Sequence, residues 1–181
     1  MKDSKIIDKV TDLDFNYPSK ELINPTIRYA SRGVVFNESG LVAVIHKVLK
    51  NEYKLPGGGI ENENPREAFL REVLEETGCL VEITDYLGII IEEKSLTNFK
   101  QISHVYIARV LKDTKKLHLT HKELDEGTTI IWENFDKAYE LIQKSQDELK
   151  GSIYDTRYQS LFMVKRDEKI MDYVKRLGKT R

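Results

Sequence analysis

Residues 56–79, PGGGIENENPREAFLREVLEETGC, place a three-glycine turn directly ahead of a helix whose two ends are both marked. Asn64 suits the N-cap, Pro65 the first helical position, and Glu67 the capping-box acid three residues after the cap. Gly78 closes the helix as a C-terminal glycine does. Each helical residue turns about 100°, so Glu72, Glu75 and Glu76 at i, i+3 and i+4 share a face, and Phe69, Leu70, Val73 and Leu74 are expected to form the apolar stripe opposite. Acids on a helix are usually a solvated surface, and Arg71 with Glu75 is an ordinary i, i+4 pair. Three crowded glutamates nevertheless repel unless a cation sits among them. Magnesium, which takes oxygen ligands and is commonly shared between one or two carboxylates and substrate phosphates, suits that face. The glycines let backbone groups approach a metal or a phosphate.

Outward from this helix, apolar and β-branched runs at Thr26 to Phe36 and Leu41 to His46 flank the turn formers Asn37-Glu38-Ser39-Gly40, which predicts a hairpin. Tyr53-Lys54-Leu55 reads as a short strand entering the glycine turn. Downstream, strands are expected at Leu80 to Ile83, Tyr86 to Glu92, Gln101 to Val110 and Thr128 to Trp132. Helices are expected over Phe135 to Lys144 and within Asp155 to Leu177. Strands around a central helix, with helices at the end, predict an α+β fold: a mixed sheet between helices, or α/β/α sandwich. Residues 1–25 read as an N-terminal extension, and 26–181 as one domain ending in a C-terminal helix.

The chain has 181 residues, enough for one cored domain. Its 29 lysines and arginines nearly balance 30 acids, so no global field draws it to nucleic acid or an anionic membrane. Any phosphate recognition is therefore local. Its one cysteine, Cys79, excludes an internal disulfide and fits a reducing cytoplasm, where it reads as a small core residue. The first eight residues lack the apolar core of a signal peptide, and no later stretch reaches membrane-spanning length.

Gly57, Glu63, Arg71-Glu72, Glu75-Glu76 and Gly78 stand at spacings that resemble the signature box of the Nudix hydrolase superfamily, with its MutT-like members. Cys79 takes the place of the usual Ile, Leu or Val, and Glu61-Asn62-Glu63 is one residue shorter than the common form. The resemblance implies the sandwich fold and divalent metal, Mg2+ or Mn2+, on Glu75 and Glu76. It implies that Glu72 ligates metal or acts as general base, that Arg71 orients Glu72, and that Glu63 steadies the loop or assists the metal. Gly57 or Gly58 is implied to present a metal-ligating carbonyl. A further acid from a distant loop often completes such sites, and Glu126 is expected in that role, with Glu123 in reserve.

What the resemblance implies chemically is cleavage of a phosphoanhydride bond in a small nucleotide, such as a nucleoside triphosphate or a nucleotide sugar, by metal-activated water. Markers of the ADP-ribose, dinucleoside polyphosphate, NADH and coenzyme A subfamilies are absent. Candidate substrate contacts are Arg28 and Lys54 for phosphates, Gly58 at the turn, and Tyr53 and His104 for a base, with Phe99, Tyr106 and Tyr154 as further aromatic candidates. Each is more often core or surface than ligand-contacting. A homodimer is common among similar proteins. The alternative is a non-catalytic Nudix domain that senses a nucleotide, but such a domain is expected to lose box carboxylates, and all are present here.

Overall fold

The computed structural model describes residues 5–181; the first four residues of the expected extension, which belong also to the stretch read as lacking a signal-peptide core, lie outside the described residues. The central strand is β2 (Thr26–Phe36). It pairs in parallel with β7 (Phe99–Asp113) along its whole length. Its other edge is shared: Arg32, Ser31 and Ala30 pair with Gly57, Gly58 and Gly59 of β5 (Gly57–Gly59), whereas Phe36 pairs with Val42 of β3 (Val42–Lys47). Strands β4 (Glu52–Lys54) and β8 (Thr128–Glu133) both run antiparallel to β3. The sheet therefore splays open beside the glycine turn.

On the far side, β6 (Cys79–Lys94) runs antiparallel to β7, and β1 (Ile6–Thr11) adds in parallel to β6. The two strands expected at 80–83 and 86–92 are thus one strand, bent by three register shifts rather than broken by a turn. The extension's Ile6–Thr11 lies in the sheet itself.

Helix α1 (Pro65–Thr77) covers one face of the sheet. Phe69 and Val73 pack there with Val35, Tyr106 and Ala108. Helices α3 (Phe135–Glu148) and α4 (Arg157–Arg176) cover the other face over Val34, Phe36, Val105 and Ile107, so odd and even residues of β2 and β7 feed opposite cores. This is the expected α+β sandwich. A one-turn helix, α2 (His121–Asp125), stands where only a loop was expected.

The helix ends follow the sequence. Asn64 Oδ1 accepts from the amides of Arg66 and Glu67, both at 3.0 Å, and Gly78 terminates α1 at φ 71°. The buried stripe of α1 is rotated from expectation. It comprises Ala68, Phe69, Val73, Glu76 and Thr77, while Leu70 and Leu74 are only half-buried. The rotation carries Glu76 beneath the glycine turn and out of solvent.

Candidate active site

The turn and α1 are joined by contacts that require glycine. A Cβ on Gly57, at φ 139°, would stand 2.3 Å from the Ser31 carbonyl oxygen. One on Gly58 would stand 2.3 Å from the Glu72 carboxylate. Ser31 Oγ donates to the Pro65 carbonyl at 2.6 Å, tying the start of α1 to β2.

Four box acids gather around two cations. Arg71 donates to Glu63 (2.9 Å), Glu72 (2.9 Å), Glu75 (3.1 Å) and the Gly59 carbonyl (2.9 Å). One guanidinium thus spaces three carboxylates and pins the turn. Glu76 is 2 % exposed; its Oε2 accepts from the Gly57 amide at 2.7 Å, and its Oε1 meets the Lys54 ammonium at 2.5 Å. Burial raises the pKa of Glu76 against the pull of Lys54. Burial likewise raises that of Glu72, outweighing Arg71 and Lys54. Glu63, half-buried beside Arg71, is lowered by that hydrogen bond.

Lys54, Arg71, Glu72, Glu75 and Glu76 line one wall of a cleft of about 470 Å³, and Glu63 stands outside its lining. Among the described residues no three acidic, histidine or cysteine side chains converge as a ready cage. The donor chemistry still fits a hard divalent cation: carboxylate oxygens of Glu72, Glu75 and Glu76 stand beside the Gly57 carbonyl, and the space over Gly58 is one that a Cβ would close. Since magnesium commonly takes only one or two protein carboxylates, a full cage is not required.

Among the other expected site residues, Arg28 and Lys54 line the cleft. Glu126 does not; its carboxylate is buried against Lys47 (2.7 Å) and Ser152 (2.8 Å). Glu123 does line it, held by Thr120 as the capping-box acid of α2. Tyr53 stacks on His46 at 4.0 Å, and His104 meets the Tyr86 hydroxyl at 2.9 Å on the α1 side of the sheet; neither lines the cleft. The same holds for Phe99, Tyr106 and Tyr154, which contact Lys94, Phe69 and Asp125 respectively.

Among the cleft residues that escaped the sequence analysis are two arginines. Arg32 lies on β2 in the inward parity of Val34 and Phe36, and Arg166 lies on α4 in the stripe of Phe162 and Ile170. A cation at an inward-facing position is the signal that marks both.

A mixed sheet between helices, with a glycine turn wedged against a glutamate-bearing helix, defines the Nudix class of domain. The chain belongs to that family: the family model of the NUDIX domain matches residues 26–156. A MutT-like protein of Streptomyces ambofaciens is 28% identical over 123 residues, covering 67% of this chain and 73% of that protein. The crystal structure of a MutT protein from Methanosarcina mazei Go1 superposes with a TM-score of 0.58 at 20% identity, covering 87% of this chain and 99% of that one. A Nudix hydrolase from Nitrosomonas europaea gives 0.55 at 16%, covering 78% and 92%. At these identities the solved structures speak for the fold.

Proposed function

We propose that the cleft hydrolyses a phosphoanhydride bond in a nucleoside diphosphate-linked substrate, a nucleoside triphosphate or a related nucleotide. The observation that carries this reading is the convergence of Glu72, Glu75 and Glu76 on the Gly57–Gly58 turn, with Arg71 spacing the carboxylates. Glu75, Glu76 and the Gly57 carbonyl would hold the divalent cation, Mg2+ or Mn2+, with Glu123 in place of the expected Glu126 because Glu123 faces the cleft. When bound, the cation supplies charge neutralisation at phosphate oxygens and acidifies water. Glu72 accepts the proton of the attacking water; its raised pKa makes it a better base than an exposed carboxylate. Arg71 fixes the direction of that carboxylate, and Glu63 fixes Arg71. No helix among the described residues is long and apolar enough to cross a membrane, and the buried free thiol of Cys79 supports a reducing, cytoplasmic setting.

The test is a hydrolysis screen with Mg2+ or Mn2+ over nucleoside triphosphates, oxidised purine triphosphates, dinucleoside polyphosphates, nucleotide sugars and ADP-ribose, with Glu75→Gln as control. Turnover that needs both metal and Glu75 is expected. Undiminished activity in the control would refute the metal assignment, and silence across the panel would favour a nucleotide sensor.

A further inference from the structure

Asp167 of α4 is fully buried, and its two oxygens serve different parts of the molecule. Oδ2 accepts from the Leu55 amide at 2.9 Å, and Oδ1 accepts from Nε of Arg166 at 2.8 Å. Leu55, also buried, carries the chain from β4 towards the glycine turn. Its neighbour Pro56 has no N–H, so the next amide along the chain is that of Gly57, which donates to Glu76 at 2.7 Å. The amides on either side of the proline are thus taken by buried carboxylates from helices on opposite faces of the sheet, Asp167 of α4 and Glu76 of α1.

The two carboxylates share a second trait. Each meets a cation that lines the cleft, Lys54 for Glu76 and Arg166 for Asp167. Between them the Pro56 carbonyl accepts from the Gly33 amide at 3.2 Å, and the three glycines pair with β2. The turn is therefore held by α1, β2 and α4 at once, and Asp167 supplies the hold from α4. A buried carboxylate is costly unless its donors are well placed, and an amide bonded to a charged acceptor makes the stronger kind of hydrogen bond. Here that bond falls on the last amide before the proline, where any shift of the backbone passes directly to the Gly57 carbonyl.

We propose that Asp167 is a positioning residue: by fixing Leu55 it sets the path of the chain into the glycine turn, and so holds the Gly57 carbonyl and Glu76 together as one cation-binding unit. The proposal rests on the metal-dependent reading of the cleft. Aspartate offers two acceptor oxygens and asparagine one, so Asp167→Asn can serve Leu55 or Arg166 but not both. Asp167→Glu keeps the charge and both acceptors but moves them by a methylene; it should fall between Asp167→Asn and wild type, and it takes the place of Asp167→Asn if that variant does not fold. The control is Tyr139→Phe, which removes a 2.7 Å hydrogen bond to Asp172 on the same helix, outside the cleft lining.

Two measurements on the folded, full-length chain test this. In the metal-free protein, amide hydrogen exchange at Gly57, followed by NMR, should quicken about tenfold or more in Asp167→Asn, and in Tyr139→Phe by no more than its loss of global stability explains. Mn2+ affinity, titrated calorimetrically below the melting temperature of every variant, should weaken about tenfold in Asp167→Asn, the scale on which residues behind a ligand act, and hold in Tyr139→Phe. Unchanged exchange and affinity in the folded Asp167 variant would overturn the proposal. So would either effect without the other, or equal effects in Tyr139→Phe. A wild type that binds no Mn2+ would remove the metal reading and the proposal with it. If the hydrolysis screen is silent while Mn2+ affinity still depends on Asp167, the positioning role stands and the hydrolase reading falls.

Discussion

The ammonium of Lys54 lies 2.5 Å from Oε1 of Glu76 and 3.3 Å from the Gly57 carbonyl oxygen, so it contacts two of the groups proposed to hold the cation. Lysine and metal therefore compete for the same oxygens. Lys54→Met should destabilise the metal-free protein by about 3 kcal/mol, the scale of breaking a buried pair. Mn2+ should restore more of that loss than it adds to wild type, because bound metal stabilises the folded state by mass action. Thermal unfolding with and without Mn2+ reads this directly. Equal metal-induced shifts in the two proteins would separate Lys54 from the metal groups.

Gly58 tests the position of Glu72 apart from the fold. Its φ is not in the left-handed region, yet an added Cβ would meet the Glu72 carboxylate at 2.3 to 2.4 Å. Gly58→Ala should therefore fold with a melting temperature within a few degrees of wild type while turnover falls about tenfold or more, since small displacements of a reacting group are costly. Wild-type turnover would mean that Glu72 is free to move without consequence.

Arg71 holds three carboxylates and a carbonyl with one planar fork, a pattern an ammonium cannot reproduce. Arg71→Lys keeps the charge and should still lower kcat with less effect on KM. It should also cost about 1–3 kcal/mol of stability, as charged hydrogen bonds do. Urea unfolding alongside steady-state kinetics checks both parts.

Acid stability follows from Glu92. Burial alone would raise its pKa, but Lys94, Arg166 and Arg32 outweigh it and hold it at about 2, below the ordinary 4.5. A carboxylate depressed on folding stabilises the protein above its unfolded pKa, and that contribution is lost as pH falls from about 4.5 through about 2. Glu92→Gln should be less stable at neutral pH and should show a shallower loss across that window. An unfolding series in pH gives the slopes, and identical slopes would refute the pairing.

Much of this architecture is visible along the chain because it is local. The caps of α1, the β2–β3 hairpin and the box acids are each decided by residues a few positions apart. What stayed hidden is non-local. β1 is six residues with two charges, and it becomes a strand only by pairing with β6 more than eighty residues away. Where the chain enters β1 it also crowds β6: at Gly88, φ 125°, a Cβ would stand 2.2 Å from the Lys5 carbonyl oxygen. Glu126 was expected at the site from its loop position, but Lys47 and Ser152 draw it inward, and the nearby Glu123 faces the cleft instead. Of the aromatic candidates, Tyr53 stacks on His46 and His104 meets Tyr86, cross-strand contacts outside the cleft lining that their own segments do not encode.

The role given to Glu72 is the claim on which the proposed chemistry turns. Steady-state hydrolysis of the best substrate from the metal screen, by wild type and Glu72→Gln at saturating Mg2+, tests it most directly. Turnover should drop about a hundredfold or more with KM within a few-fold, the signature of a lost general base. Comparable turnover in the two proteins would contradict it.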